Sequence, residues 1–96
     1  MPKGYWIGHV DVLHPERYPD YMKAAQPAYE KYGAKFIVRG GKFDAVEGKA
    51  RGRHVVVEFE SYDRAVACYN SPEYREAAKI RRANAEGEIL IVEGAD

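Results

Sequence analysis

The sequence predicts a single α+β domain with its elements in the order strand, helix, strand, strand, helix, strand. Three observations point there. Four short stretches are rich in β-branched and aromatic residues and read as strands, three of them by period-2 alternation and the last as a short apolar run. Apolar side chains recur at helical spacing in the first and last connections. Two serines stand where helix caps belong, directly after the third strand. At 96 residues the chain fits one domain, taken here as 1–96.

The first stretch, Gly4 to Val12, places Trp6, Val10 and Val12 on one parity and Tyr5, Ile7, His9 and Asp11 on the other. His14-Pro15 interrupts it, because proline lacks a ladder donor and restricts its predecessor. From Pro15 to Tyr32, a stripe of Tyr18, Tyr21, Met22, Ala25, Tyr29 and Tyr32 predicts a short turn and a helix kinked near Pro27. Gly33 supplies a left-handed stop. A second strand covers Lys35–Gly41, with Phe36 and Val38 opposite Ile37 and Arg39, and a short hairpin strand is expected around Phe43–Glu47. Arg53–Phe59 is the third strand, with Val55, Val57 and Phe59 opposite His54, Val56 and Glu58. Ser61 then caps a helix carrying Tyr62, Ala65, Val66 and Tyr69. Ser71-Pro72 starts a further helix to about Ala85, Gly87 closes it, and Glu88–Glu93 is the last strand.

This β-α-β-β-α-β order is the ferredoxin-like arrangement, in which helices cover one face of a four-stranded antiparallel sheet. The other face must meet water or a partner. With 46% hydrophobic and 12% aromatic residues, eight of them tyrosine, the chain carries more apolar surface than one short core uses. The last strand is apolar on both parities, which predicts burial of both its faces. A homodimer formed through the open sheet face is therefore expected.

Composition also excludes function classes. Fifteen basic residues balance fifteen acidic ones, unlike the basic excess of a nucleic-acid binder. One cysteine gives no internal disulfide. Neither a signal-peptide pattern nor an apolar run of about 20 residues is present, so no membrane partner and a cytoplasmic location are expected. Gly40-Gly41 matches no phosphate-binding motif, and no cofactor is expected.

Parity and strand order put ionisable groups on the open face. His9 and Glu58 are the candidate catalytic pair, a proton-transfer base and its orienting partner, with Arg39 as the anion anchor. Tyr5, Asp11 and His54 lie near them as candidate ligand-binding residues. The alternative is an ion-pair network that fixes the register of two subunits. Tyr69 and Tyr74 flank the Ser71-Pro72 cap and either reach a pocket lip or pack the helix onto the sheet. Arg81 and Arg82 complement a helix C-terminus, with one of them able to reach a pocket. His9 and Asp11 with His54 or Glu58 could form a metal set, but the spacing carries no H-x-H or H-x-x-x-H pair. Cys68, in a helix beside the apolar stripe, reads as a small buried hydrophobe.

GYWIGHVDV (4–12), KYGAKFIVRGG (31–41), VVEFESYDRAVACYNSPEYREA (56–77) and IVEG (91–94) resemble the bacterial domain-of-unknown-function family 1330. The resemblance runs through nearly the whole chain, and Glu58–Tyr74 is its most specific part. It implies a protomer of the dimeric α/β-barrel group, paired sheet to sheet, with a small cavity between sheet and helices. It implies no reaction. The function expected is a small-molecule-binding or cofactor-independent catalytic domain for a small organic acid or aromatic compound. The alternatives are a non-catalytic dimeric module and a haem or metal binder.

Overall fold

In a computed structural model, which describes residues 2–96, the elements are β1 (Gly4–Val12), α1 (Tyr18–Tyr32), β2 (Lys35–Arg39), β3 (Arg53–Phe59), α2 (Tyr62–Tyr69), α3 (Pro72–Asn84) and β4 (Ala85–Glu93). The four strands form one sheet in the order β2-β3-β1-β4, every neighbour antiparallel. This is the ferredoxin-like order, with the two hydrophobic strands β1 and β3 at the centre. The helices lie on one face: α1 packs along α3, and α2 sits over β1.

The local signals act as their chemistry requires. Ser61 Oγ accepts the Arg64 N–H at 3.1 Å, and Ser71 Oγ accepts that of Tyr74 at 3.2 Å while donating to the Cys68 carbonyl at 2.7 Å. Gly33 ends α1 in the left-handed region, at φ 69°. The helix is continuous through Pro27, which lies on its exposed side.

Trp6 organises the core. Its ring is in edge or tilted contact with Tyr29, Phe59, Tyr69 and Tyr74, and its Nε1 donates to the Ala65 carbonyl at 2.9 Å. Small residues let the layers approach: Ala25, Ala28, Ala65 and Ala77 are fully buried. Cys68 is also fully buried, its Sγ 3.7 Å from the Ala28 carbonyl, and burial pushes its thiol up to about 12.

Four expectations need correction. No strand forms at Phe43–Glu47; residues 40–52 are irregular. Gly87 does not stop α3 but lies inside β4, where a Cβ would fall 2.1 Å from the His9 carbonyl oxygen. That close approach of two backbones is why only glycine fits. β4 is not buried on both faces of the protomer: Ile89 and Ile91 pack on the core, but Leu90 and Val92 are exposed. The fourth concerns β2. Its pairing with β3 slips by one residue between Phe36 and Val38, a β-bulge. Val38 therefore opposes Val56 on the open face and Arg39 opposes Val55 on the helix face, the reverse of the alternation read from the sequence.

Candidate functional site

The predicted residues fall into two groups on opposite faces. On the open face, β1 brings Tyr5 opposite Glu58 and His9 opposite His54. His9 Nδ1 and His54 Nδ1 are 2.8 Å apart, so one proton lies between two imidazoles. Tyr5 Oη reaches Glu58 only at 3.5 Å. His9 and Glu58 are not brought together: four residues of ladder separate them, roughly 13 Å of strand. The residues flanking His9 across the sheet are His54 and Glu88.

The irregular segment 40–52 folds back over this end of the sheet. Phe43 packs edge-on against His54 with ring centroids 4.4 Å apart. Asp11 accepts the Gly52 N–H at 2.9 Å and Arg51 Nη1 at 2.7 Å, and Arg51 Nη2 also reaches Glu88 at 2.7 Å. The Gly52 amide first, and then Arg51, hold the Asp11 carboxyl below its ordinary range; Arg51 does the same for Glu88. These groups satisfy one another. Among the described residues no three His, Cys, Asp or Glu side chains converge to hold a metal ion.

The helix face holds an apolar cavity. Its volume is about 50 Å³, and its wall includes Trp6, Tyr18, Tyr21, Tyr29 and Phe36 together with Arg39, Arg53 and Arg81. On the scale where one water takes about 10–15 Å³, that is room for roughly four waters. The β2 bulge is what delivers Arg39 here, where its guanidinium lies over the Phe36 ring at 4.1 Å. Arg53 lies 5.6 Å from the Tyr18 ring centre and Arg81 5.9 Å from that of Tyr21. Among the described residues none of the three guanidiniums has a carboxylate partner. Arg53 Nε is buried with no hydrogen bond at all. A buried donor on a cation left unmade costs at least about 1–3 kcal/mol, a debt that an anion entering the cavity would cancel.

Tyr74, fully buried, holds α3 onto the sheet and accepts Arg81 Nη1 at 2.6 Å; its Oη also lies 2.7 Å from Tyr21 Oη. Tyr69 is half-buried. Burial pushes its hydroxyl up, but Arg81 and Arg82 together bring it below the ordinary tyrosine value.

Arg53 and the tyrosines of α1 were missed as site residues in the sequence, where Arg53 reads as the start of a strand and Tyr18, Tyr21 and Tyr29 as core. Arg81 reads as a helix-end charge. The available signal was spacing, since Arg81 follows Tyr74 by seven residues and so shares its face of α3.

Solved structures resemble this fold over nearly its full length. A protein of unknown function from Rhodopseudomonas palustris superposes with a TM-score of 0.78 at 20% identity, over 99% of this chain and 84% of its own. SnoaB, a cofactor-independent oxygenase from Streptomyces nogalater, gives 0.66 at 10% identity, over 100% and 96%. A dimeric protein of unknown function with a ferredoxin-like fold, from Bacteroides fragilis, gives 0.57 at 16% identity, over 95% of each chain. These likenesses concern the fold. No curated protein matches the sequence. The profile of a domain of unknown function, DUF1330, matches residues 3–95, and the chain belongs to that family.

Proposed function

We propose that this protein binds a small organic acid with an apolar or aromatic body in the cavity between helices and sheet, as a receptor or as a catalyst without a bound cofactor. One observation carries the reading: three guanidiniums without carboxylate partners among the described residues line a cavity otherwise walled by aromatic and aliphatic side chains. A planar guanidinium pairs with a carboxylate through two parallel N–H donors, and rings on either side suit a flat apolar body. Arg39 keeps the role of anion anchor on this face, beside Arg53. His9 pairs with His54 and Asp11 with Arg51, and these residues and Glu58 serve the open face instead.

That open face is the homodimer interface in this reading. Leu90, Val92, Ile37 and Val38 are exposed, and Ile7, Val56 and Leu90 stand side by side across three strands. The dimeric Bacteroides fragilis protein of the same fold supports it.

The test is a thermal-shift and calorimetric comparison of benzoate and phenylacetate with their amides. The carboxylates should raise the melting temperature in a dose-dependent way and the amides should not. An equal response to acid and amide, or a carboxylate response that survives replacement of Arg39 and Arg53 together by Met, would sink the proposal.

A further inference from the structure

A line of hydroxyls runs from α3 to the cavity. Arg81 Nη1 lies 2.6 Å from Tyr74 Oη, which lies 2.7 Å from Tyr21 Oη, which lies 3.2 Å from Tyr29 Oη. The direction of its first two links follows from counting protons. A guanidinium only donates, so the Tyr74 oxygen has to accept. Tyr74 is fully buried, and the hydroxyl within reach of its own proton is that of Tyr21. Tyr21 accepts that proton, and the hydroxyl beside it is that of Tyr29. Each phenol has one proton to give, and the line begins with a group that can only give. One O–H of the Tyr21–Tyr29 pair is therefore left over, whichever way their bond runs. Tyr21 and Tyr29 line the cavity and Tyr74 does not, so the surplus donor arises on the cavity wall. Burial raises both Tyr29 and Tyr74 above the ordinary phenol range, which keeps the line protonated at neutral pH.

We propose that Arg81, Tyr74, Tyr21 and Tyr29 form a one-way hydrogen-bond line that presents the Tyr29 hydroxyl as a donor to a ligand oxyanion. This rests on the cavity being the ligand site. It narrows the ligand class to a compound whose oxygen is ionised and acceptor-only, such as a carboxylate, an enolate or a phenolate. Arg39 and Arg53 supply charge, and Tyr29 supplies a directed neutral donor at a third point on the wall. Tyr29 is the residue in contact with the ligand. Tyr74 and Arg81 are positioning residues that act through it, since cutting the line at Tyr74 leaves Tyr21 free to reverse and Tyr29 free to accept.

The experiment measures benzoate and benzamide affinity in the wild type, Tyr29→Phe, Tyr74→Phe and Arg53→Met. Tyr29→Phe should weaken benzoate by about tenfold or more, the loss of one hydrogen bond to a charged group, and leave benzamide within about twofold. Tyr74→Phe should weaken benzoate less and shrink the benzoate-to-benzamide ratio. Benzoate affinity unchanged in Tyr29→Phe, with Arg53→Met still abolishing binding, would overturn the line and leave the cavity reading intact. A wild type that does not prefer benzoate to benzamide overturns both. Should Tyr74→Phe fail to fold, Tyr29→Phe, which deletes only the terminal oxygen, decides the matter alone.

Discussion

On the open face of the sheet, Arg51 divides one guanidinium between Asp11 and Glu88, at 2.7 Å from each. On the covered face, Arg39, Arg53 and Arg81 lie against aromatic rings with no carboxylate among the described residues. The same residue type thus does different work a sheet's thickness apart. A cation shared by two carboxylates ties a loop down and leaves nothing for an outside anion. Arg53, beside the Tyr18 ring with its Nε buried and unbonded, keeps its charge free for the anion of the proposed reading.

The largest perturbation removes the ring on which the covered face is built. Trp6→Ala should cost about 3–5 kcal/mol in urea unfolding, because it deletes the contacts with Tyr29, Phe59, Tyr69 and Tyr74 at once. A cost below about 1 kcal/mol would mean the cavity wall does not depend on it. Next, Leu90→Lys with Val92→Lys should turn a dimer into a monomer in sedimentation while benzoate affinity stays put. Coupled loss of both would join the two faces that the comparison separates. Third, Arg53→Met should abolish benzoate binding yet leave unfolding stability unchanged or higher, since a half-buried cation whose buried Nε has no hydrogen bond is replaced by an apolar chain of similar length. A clear loss of stability would expose a structural partner for Arg53 and end the contrast.

The smallest effect is expected on the open face. Arg51→Ala should leave the unfolding midpoint almost unchanged, as for other exposed pairs, but free residues 40–52 to hydrogen exchange. Acid should do the same. Asp11 and Glu88 titrate below their ordinary values of 3.8 and 4.5 in the folded chain. Their contribution is therefore complete above those values and lost as pH falls through the lowered ones. Exchange of segment 40–52 should rise in that window only; a rise already complete at neutral pH would show that these two carboxylates do not hold the tether.

Much of the fold was legible because its signals are local. Ser61 and Ser71 cap helices wherever they start them, and Gly33 closes α1 through its own backbone freedom. The alternation of β1 and β3 holds because both strands are paired on two sides. β2 is an edge strand paired on one side, so it can carry an extra residue. The bulge between Phe36 and Val38 leaves no mark in the sequence, yet it moves Arg39 to the other face and thereby breaks the expected cluster with His9 and Glu58. Gly87 misled for a similar reason: a glycine required by a backbone across the sheet looks, in one dimension, like a glycine that ends a helix. The homodimer was argued from apolar excess, and that excess is found on the open face at Leu90 and Val92. The cavity was foreseen only through the family resemblance. Its arginines come from three elements, β2, β3 and α3, and no spacing in the chain records their meeting.

Trp6 is the chain's one tryptophan. It is 3% exposed, bonded through its indole N–H, and part of the cavity wall. Its emission should therefore lie well to the blue of a solvated indole and should respond to an aromatic acid entering the cavity. Pairing at the open face, on the far side of β1, should leave that emission unchanged. Under the proposed reading, its fluorescence would distinguish occupancy from assembly without a label.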